Sequence, residues 1–156
     1  MYKIILLFSC ADKESKKSDN IPWYYFDETN KMDNSKQYVA YTISKNYLNF
    51  KFPYNGGSFF YLVLKNKDGN HVLLYSENAH FIRDSYIKVK FDDEEPIDFW
   101  YKISAYRSND AIFIDESEEF IEKLKKSNKV MIEAPFYDNG RKIIEFDTYG
   151  LTWYFK

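Results

Sequence analysis

The chain is poor in the residues that most often carry chemistry. It has one cysteine, Cys10, in 156 residues. That excludes an intrachain disulfide and a thiolate metal cluster. Its only two histidines are His71 and His80. Zinc asks for three or four ligands, and neither histidine stands in a His-x-x-x-His or Cys-x-x-Cys pattern, so no metal site and no cofactor are expected. Gly56-Gly57 is not followed by Gly-Lys-Ser and reads as a turn, not a phosphate loop. No serine or cysteine sits in a Gly-x-Ser-x-Gly elbow. Neither sign of charge dominates: 22 Lys and Arg against 24 Asp and Glu give a net charge of −2. A generic nucleic-acid binder needs a basic face, so nucleic acid is not an expected partner. No apolar run approaches the ~18 residues of a membrane-spanning helix.

What the chain has is aromatic rings: 3 Trp, 15 Tyr and 14 Phe, 21% of all residues. A hydrophobic fraction of 45% beside 29% charged residues is a foldable composition, and 156 residues make one domain. The organisation reads as three parts: an apolar segment 1–10, a polar tether 11–22, and a single β-rich domain 23–156. The first part has Lys3 ahead of Ile4-Ile5-Leu6-Leu7-Phe8. Its end, Leu7-Phe8-Ser9-Cys10, resembles the cleavage box of bacterial lipoproteins. The resemblance implies that Cys10 carries the lipid and that the following polar stretch is the usual tether. The alternative is a short apolar strand ending in a buried cysteine.

From Trp23 on, the dominant period is two, the mark of half-buried strands. Val39, Tyr41 and Ile43 share one face of a strand over 37–43. Leu48, Phe50 and Phe52 share one face of the next. Phe59 to Leu64 is apolar on both faces, which predicts a central strand. Lys67-Asp68-Gly69-Asn70 is a hairpin turn leading to Val72–Tyr75. Ile87, Val89 and Phe91 alternate with Lys88 and Lys90, Asp92 to Pro96 turns the chain, and 97–103 returns. Ala111 to Ile114 is another short strand. A helix is expected over about 115–127, with Asp115 as N-cap, Glu118 in a variant capping box, and Phe120, Ile121 and Leu124 as its apolar stripe. Lys129–Phe136, the Asp138-Asn139-Gly140 turn and Arg141–Phe146 form a second hairpin. The expected fold is mostly β: an antiparallel β-sandwich-like domain of roughly eight to ten strands with one helix. Tyr and Phe favour strands and bury large areas there, which accounts for most of the rings.

The order of these motifs resembles the type VI secretion-associated accessory family, the TagO/VasI-type envelope proteins. The matching features are the strand running into an acidic turn (Tyr86 to Pro96), the Trp100 strand, Ala111-Ile112-Phe113, and the helix with Phe120-Ile121-Glu122-Lys123-Leu124. A closing hairpin with Phe146-Asp147 and Gly150-Leu151 completes the series. Upstream, Trp23, Lys31 to Lys36 and the Phe60–Lys65 strand fit the same pattern, so the resemblance covers about 23–151. Asn66 stands where the family commonly carries a cysteine, and the family's disulfide is not inferred. The resemblance implies an envelope location and an accessory, non-enzymatic role.

Candidate sites follow from what the alternation leaves over. Trp23, Tyr24, Tyr25 and Phe26 cannot all point inward in one half-buried strand. Trp100 falls on the polar face of its strand, and Trp153-Tyr154-Phe155 is a short apolar tail. Outward Trp or Tyr can stack on a sugar ring or anchor a protein, so Trp23, Tyr25, Trp100 and Trp153 are the candidate binding residues. Asp92-Asp93-Glu94-Glu95 lacks the glycine and spacing of a Ca²⁺ loop and reads as a solvated turn. Glu133 and Glu145 lie on facing strands of one hairpin, with Asp147 near them in sequence, so a carbohydrate- or cell-wall-active enzyme is the alternative reading. A structural subunit of a larger assembly is the third. The expectation is a non-catalytic binding module of a bacterial cell envelope. A lipid on Cys10 would hold it to the membrane, and its partner would be an envelope protein or a cell-wall glycan. Without that signal it would be cytoplasmic.

Overall fold

A computed structural model describes residues 20–54, 56–103 and 109–156, together with the backbone of 16 and 17. Cys10, the rest of the 1–10 segment and Asn55 lie outside the described residues. In chain order the elements are β1 (Lys16–Lys17), β2 (Tyr24–Thr29), β3 (Lys36–Ile43), β4 (Leu48–Asn49), β5 (Gly57–Ser58), β6 (Phe60–Asn66) and β7 (Asn70–Ser76). They continue with β8 (Tyr86–Phe91), β9 (Ile97–Ile103), β10 (Ala111–Ile114), the helix α1 (Ser117–Leu124), β11 (Lys129–Phe136) and β12 (Gly140–Asp147). Ten strands make one sheet in the order β1-β2-β3-β6-β7-β10-β9-β8-β11-β12, and β4 pairs with β5 alone. Every pairing is antiparallel. The mostly-β, sandwich-like fold with one helix among the described residues is the architecture that the period-two pattern implies.

The sheet doubles over, so that inward residues of its two halves share one core. Ala40, Phe60, Leu62, Leu64, Val72 and Leu74 come from one half, and Ile87, Val89, Phe99, Val130, Ile132, Phe136, Ile144 and Phe146 from the other. Phe136 joins them, with ring centroids 5.5 Å from Phe60, 5.0 Å from Phe81 and 5.0 Å from Phe50. The doubled edges are then stitched. The Lys45 amide donates to the Glu145 carbonyl at 2.8 Å. The Asn46 side chain donates to the Ile143 carbonyl and accepts from the Glu145 amide, each at 2.9 Å. One asparagine thus satisfies two of the backbone groups that the edge strand β12 leaves open. This is a seam rather than a ladder, and the sheet does not close into a barrel.

The first half-sheet is apolar on its other face too. Val39, Tyr41, Tyr61, Val63, Leu73, Tyr75 and Ala111 form a second buried cluster with Tyr24 and Phe26 packed against it. The alternation of Trp23 to Phe26 is therefore served on both sides: Trp23 and Tyr25 join the main core, Tyr24 and Phe26 the second cluster.

Three local expectations are corrected. First, Lys16–Lys17, inside the stretch read as a tether, pairs with Tyr24 and Tyr25 at the edge of the sheet. Second, the strand expected through Phe52 ends at Asn49, because a turn closed by the Tyr54 amide on the Lys51 carbonyl swings Phe52 out to 90% exposure. Third, Asp115 is not the helix cap. Glu116 takes that place in the left-handed region, at φ 55°, with no side-chain cap bond. The Ser117 hydroxyl instead ties the helix start to the sheet, donating to the Ile114 carbonyl and accepting from the Val72 amide, each at 3.0 Å. The apolar stripe is as expected, with Phe120, Ile121 and Leu124 buried and Phe120 against Phe91 and Phe99.

Glu118, free of any capping role, reaches the buried Asn70. The Asn70 amide donates to the Glu118 carboxylate at 3.0 Å and to the Phe155 carbonyl at 3.1 Å. Its oxygen accepts from the Asn66 amide and from Trp153 Nε1, both at 3.0 Å. A hairpin-turn residue thereby holds the helix and the C-terminal tail together. Replacing Asn70 by alanine leaves the buried indole N–H and the Phe155 carbonyl without partners, so Asn70→Ala is expected to cost about 2–4 kcal/mol, measured by urea unfolding.

Tyr101 is buried and donates to the Ile82 carbonyl at 2.6 Å. Burial pushes its phenol up to about 12. Tyr25, Tyr54 and Tyr61 are raised as well, each chiefly by burial. The folded state therefore holds protons that the unfolded chain releases near pH 10. Stability is expected to be complete below pH 10 and to fall between about pH 10 and 12, by up to ~1.4 kcal/mol per pH unit for Tyr101 alone. Urea midpoints at pH 9 and pH 11.5 measure it, and Tyr101→Phe flattens the fall.

Candidate binding face around Trp100

The structure separates the four candidate aromatics. Trp23 is fully buried, and its indole N–H donates to the Thr148 carbonyl at 3.0 Å. Trp153 is 4% exposed and engaged by Asn70. Both are corrected to core residues, because each needs a buried acceptor for its N–H and finds one across the end of the sandwich. Tyr25 is half-buried, and its hydroxyl accepts from the Thr152 amide at 3.0 Å. It too belongs to the docking of the tail. Trp100 alone stands out, with 61% of its surface exposed.

Period two explains Trp100. Phe99 and Tyr101 point into the core, so Asp98, Trp100 and Lys102 point out. Trp100 is paired across the hairpin with Tyr86, and their rings are 5.7 Å apart. The Arg141 guanidinium lies 4.6 Å from the Tyr86 ring centroid. It is fixed there by the Glu133 carboxylate at 2.5 Å and by the carbonyls of Tyr86 and Glu133 at 3.1 and 3.2 Å. Lys88 pairs with Asp98 at 2.8 Å, and that hydrogen bond holds its ammonium above the usual value. Beside these residues is a shallow hollow of about 120 Å³ bordered by Lys88, Lys90, Pro96, Met131, Glu133 and the half-exposed Ile143. The outer face of β9-β8-β11-β12 thus presents an indole, a phenol stacked under an arginine, and an apolar step at Ile143. Exposed ion pairs of this kind add little stability. They do hold long side chains in one arrangement before any partner arrives, which reduces the ordering cost of binding.

The carboxylates do not assemble. Glu133 is taken up by Arg141, while Glu145 stands exposed next to Met131 in the register, and Asp147 pairs with Lys45 at 3.1 Å. In the acidic turn, Asp92 accepts from the Asn128 and Lys129 amides at 2.9 Å, and Asp93 and Glu94 pair with Lys129 and Lys123. His71, on β7, and His80, in the loop that follows it, are both exposed, and no group of three metal-ligating side chains occurs among the described residues. Sequence reasoning missed Tyr86, Arg141 and Ile143. Tyr86 was within reach of it, since counting outward from the Asp92–Pro96 turn sets Tyr86 opposite Trp100. Arg141 was not, because its place depends on β11 lying beside β8.

Comparison of the chain with protein-family models, with curated proteins and with solved structures gives no match.

Trp100→Ala is expected to change stability by no more than about 0.5 kcal/mol, as an exposed substitution does. Trp23→Ala is expected to cost about 3–5 kcal/mol, through its cavity and the unpaired Thr148 carbonyl. Chemical denaturation of the two variants measures the contrast.

Proposed function

We propose that this chain is a non-catalytic accessory protein of a bacterial cell envelope, tethered through a lipid on Cys10, that holds a protein partner with the Trp100 face. The observation that carries the reading is the exposed indole of Trp100, set beside Tyr86, Arg141 and Ile143. Trp, Tyr and Arg are the residues in which binding energy concentrates at protein interfaces. Arginine, lysine and carboxylate groups around the rings favour a protein over a sugar, since they offer charges for a partner to match. Two sequence features support the location: the lipoprotein-like Leu7-Phe8-Ser9-Cys10 box, and the resemblance of 23–151 to TagO/VasI-type envelope proteins. A cell-wall glycan stacked on Trp100 is the competing partner.

The test is photo-crosslinking in intact cells from a reactive residue at position 143, with position 52 in the exposed Lys51–Tyr54 turn as control. A discrete protein adduct from 143, absent from 52 and reduced about ten-fold or more by Trp100→Ala, is expected. Cys10→Ala is expected to move the protein out of the membrane fraction. No adduct, with retention on isolated cell wall that Trp100→Ala abolishes, would transfer the site to a glycan. No adduct and no such retention would overturn the binding role of this face.

A further inference from the structure

A second hollow lies on the β4–β5 ribbon and the end of β7. Its volume is about 170 Å³, and Tyr47, Phe59, Tyr61, Glu77 and Asn78 line it, with Gly57 at its base. Tyr47 and Phe59 are unusual residues to leave in water: 50% and 44% of their surfaces are exposed. Their rings meet edge to face, with centroids 5.0 Å apart and planes at 67°, which makes a corner of two aromatic walls. Tyr61, buried in the second apolar cluster, lies beneath.

The corner is built, not accidental. A Cβ on Gly57 would lie 2.4 Å from the Tyr47 ring and 2.4 Å from the Leu48 carbonyl oxygen, so only glycine lets Tyr47 lie across this strand. Ser58, next in the chain, is locked from below: its hydroxyl donates to the Phe59 carbonyl at 2.7 Å and accepts from the Ser76 hydroxyl at 2.9 Å. The Asn78 amide donates to the Gly57 carbonyl at 3.2 Å, which leaves its oxygen for another donor.

Among the described residues that line the hollow, the charged one is Glu77. Glu77 is half-buried, and its carboxylate forms no ion pair among the described residues. Its negative charge, added to burial, helps to raise the Tyr61 phenol. Aromatic faces joined to a carboxylate form a site that mixes ring walls with polar groups. Ring faces attract cations, more strongly as water is excluded. A methylated ammonium would bury its methyl groups against the rings with its charge beside the Glu77 carboxylate.

We infer that the Tyr47–Phe59–Tyr61–Glu77 hollow is a binding site for a quaternary ammonium group, of the choline type. Such a group is carried by free choline and by the headgroup of phosphatidylcholine alike. The site is separate from the Trp100 face and does not rest on the function proposed for it.

Choline and 3,3-dimethylbutan-1-ol, its uncharged equivalent in shape, are titrated against the full chain and followed by the NMR shifts of residues 47, 59 and 77. Choline is expected to bind about ten-fold or more tightly than the alcohol, the difference a desolvated cation over rings supplies. Glu77→Gln is expected to weaken choline about ten-fold with the alcohol unaffected, and Tyr47→Ala to remove both. The thermal midpoint of each variant shows that the fold is retained. Sedimentation with phosphatidylcholine vesicles, against phosphatidylglycerol vesicles, separates a headgroup from a soluble ligand. Equal binding of choline and the alcohol, a Glu77→Gln variant that binds choline as the wild type does, or no choline-dependent shift at these residues overturns the assignment.

Discussion

The structure depends on the contact of Phe136 with rings from the opposite half of the sheet. A ten-stranded antiparallel sheet left open would expose one whole apolar face. Phe136 sits on β11, close to one edge of the strand order, and Phe60 on β6, in the other half. Their rings approach to 5.5 Å, with Phe81 and Phe50 completing the cluster. Burial of rings of this size is among the largest apolar contributions a small domain has. Once the halves are drawn together, the remaining features find their places. The Ser44–Asn46 turn meets β12, Trp23 meets the Thr148 carbonyl, and the helix covers one end through Phe120.

That doubling also sorts the surface. The outer face of one half-sheet is a second apolar cluster, whereas the outer face of the other is charged, with Trp100, Tyr86 and Ile143 among its ions. The two surface features that invite ligands arise where neither pattern applies. Trp100 is an aromatic on a polar face, held next to an arginine stacked on Tyr86. The Tyr47–Phe59 corner stands at the rim of the second cluster, where a glycine allows a ring to lie flat beside the Glu77 carboxylate.

Much of the fold was legible in the residues because antiparallel pairing by short turns is a local matter. The Asp68-Gly69 and Asn139-Gly140 turns, the alternation from Tyr86 to Phe91, and the helix stripe of Phe120, Ile121 and Leu124 were each readable over ten residues or fewer. The errors fall where a distant partner overrode a local signal. Asp115 and Glu118 form a capping pattern, yet Glu118 is drawn to Asn70, 48 residues earlier in the chain, and Glu116 adopts the turn instead. Phe52 continues a period of two that the backbone abandons at a turn. Trp23 and Trp153 looked surplus to a one-faced strand. Each is consumed by the core because a hydrogen-bond acceptor far away in sequence, Thr148 or Asn70, satisfies its indole.

The amino-acid sequence by itself determined the mostly-β class, the positions of the confident hairpins, the helix that buries Phe120, Ile121 and Leu124, and the outward direction of Trp100. These follow from side-chain period and turn chemistry, which act between near neighbours. Only the tertiary structure decided which aromatics are core and which are surface, since that depends on how the sheet doubles over and on which strands become neighbours. It alone placed Arg141 over Tyr86, and gathered Tyr47, Phe59, Tyr61 and Glu77 around one hollow. Such sites are assembled from strands whose adjacency is set by the burial of the whole apolar face, a quantity no local stretch of the chain contains.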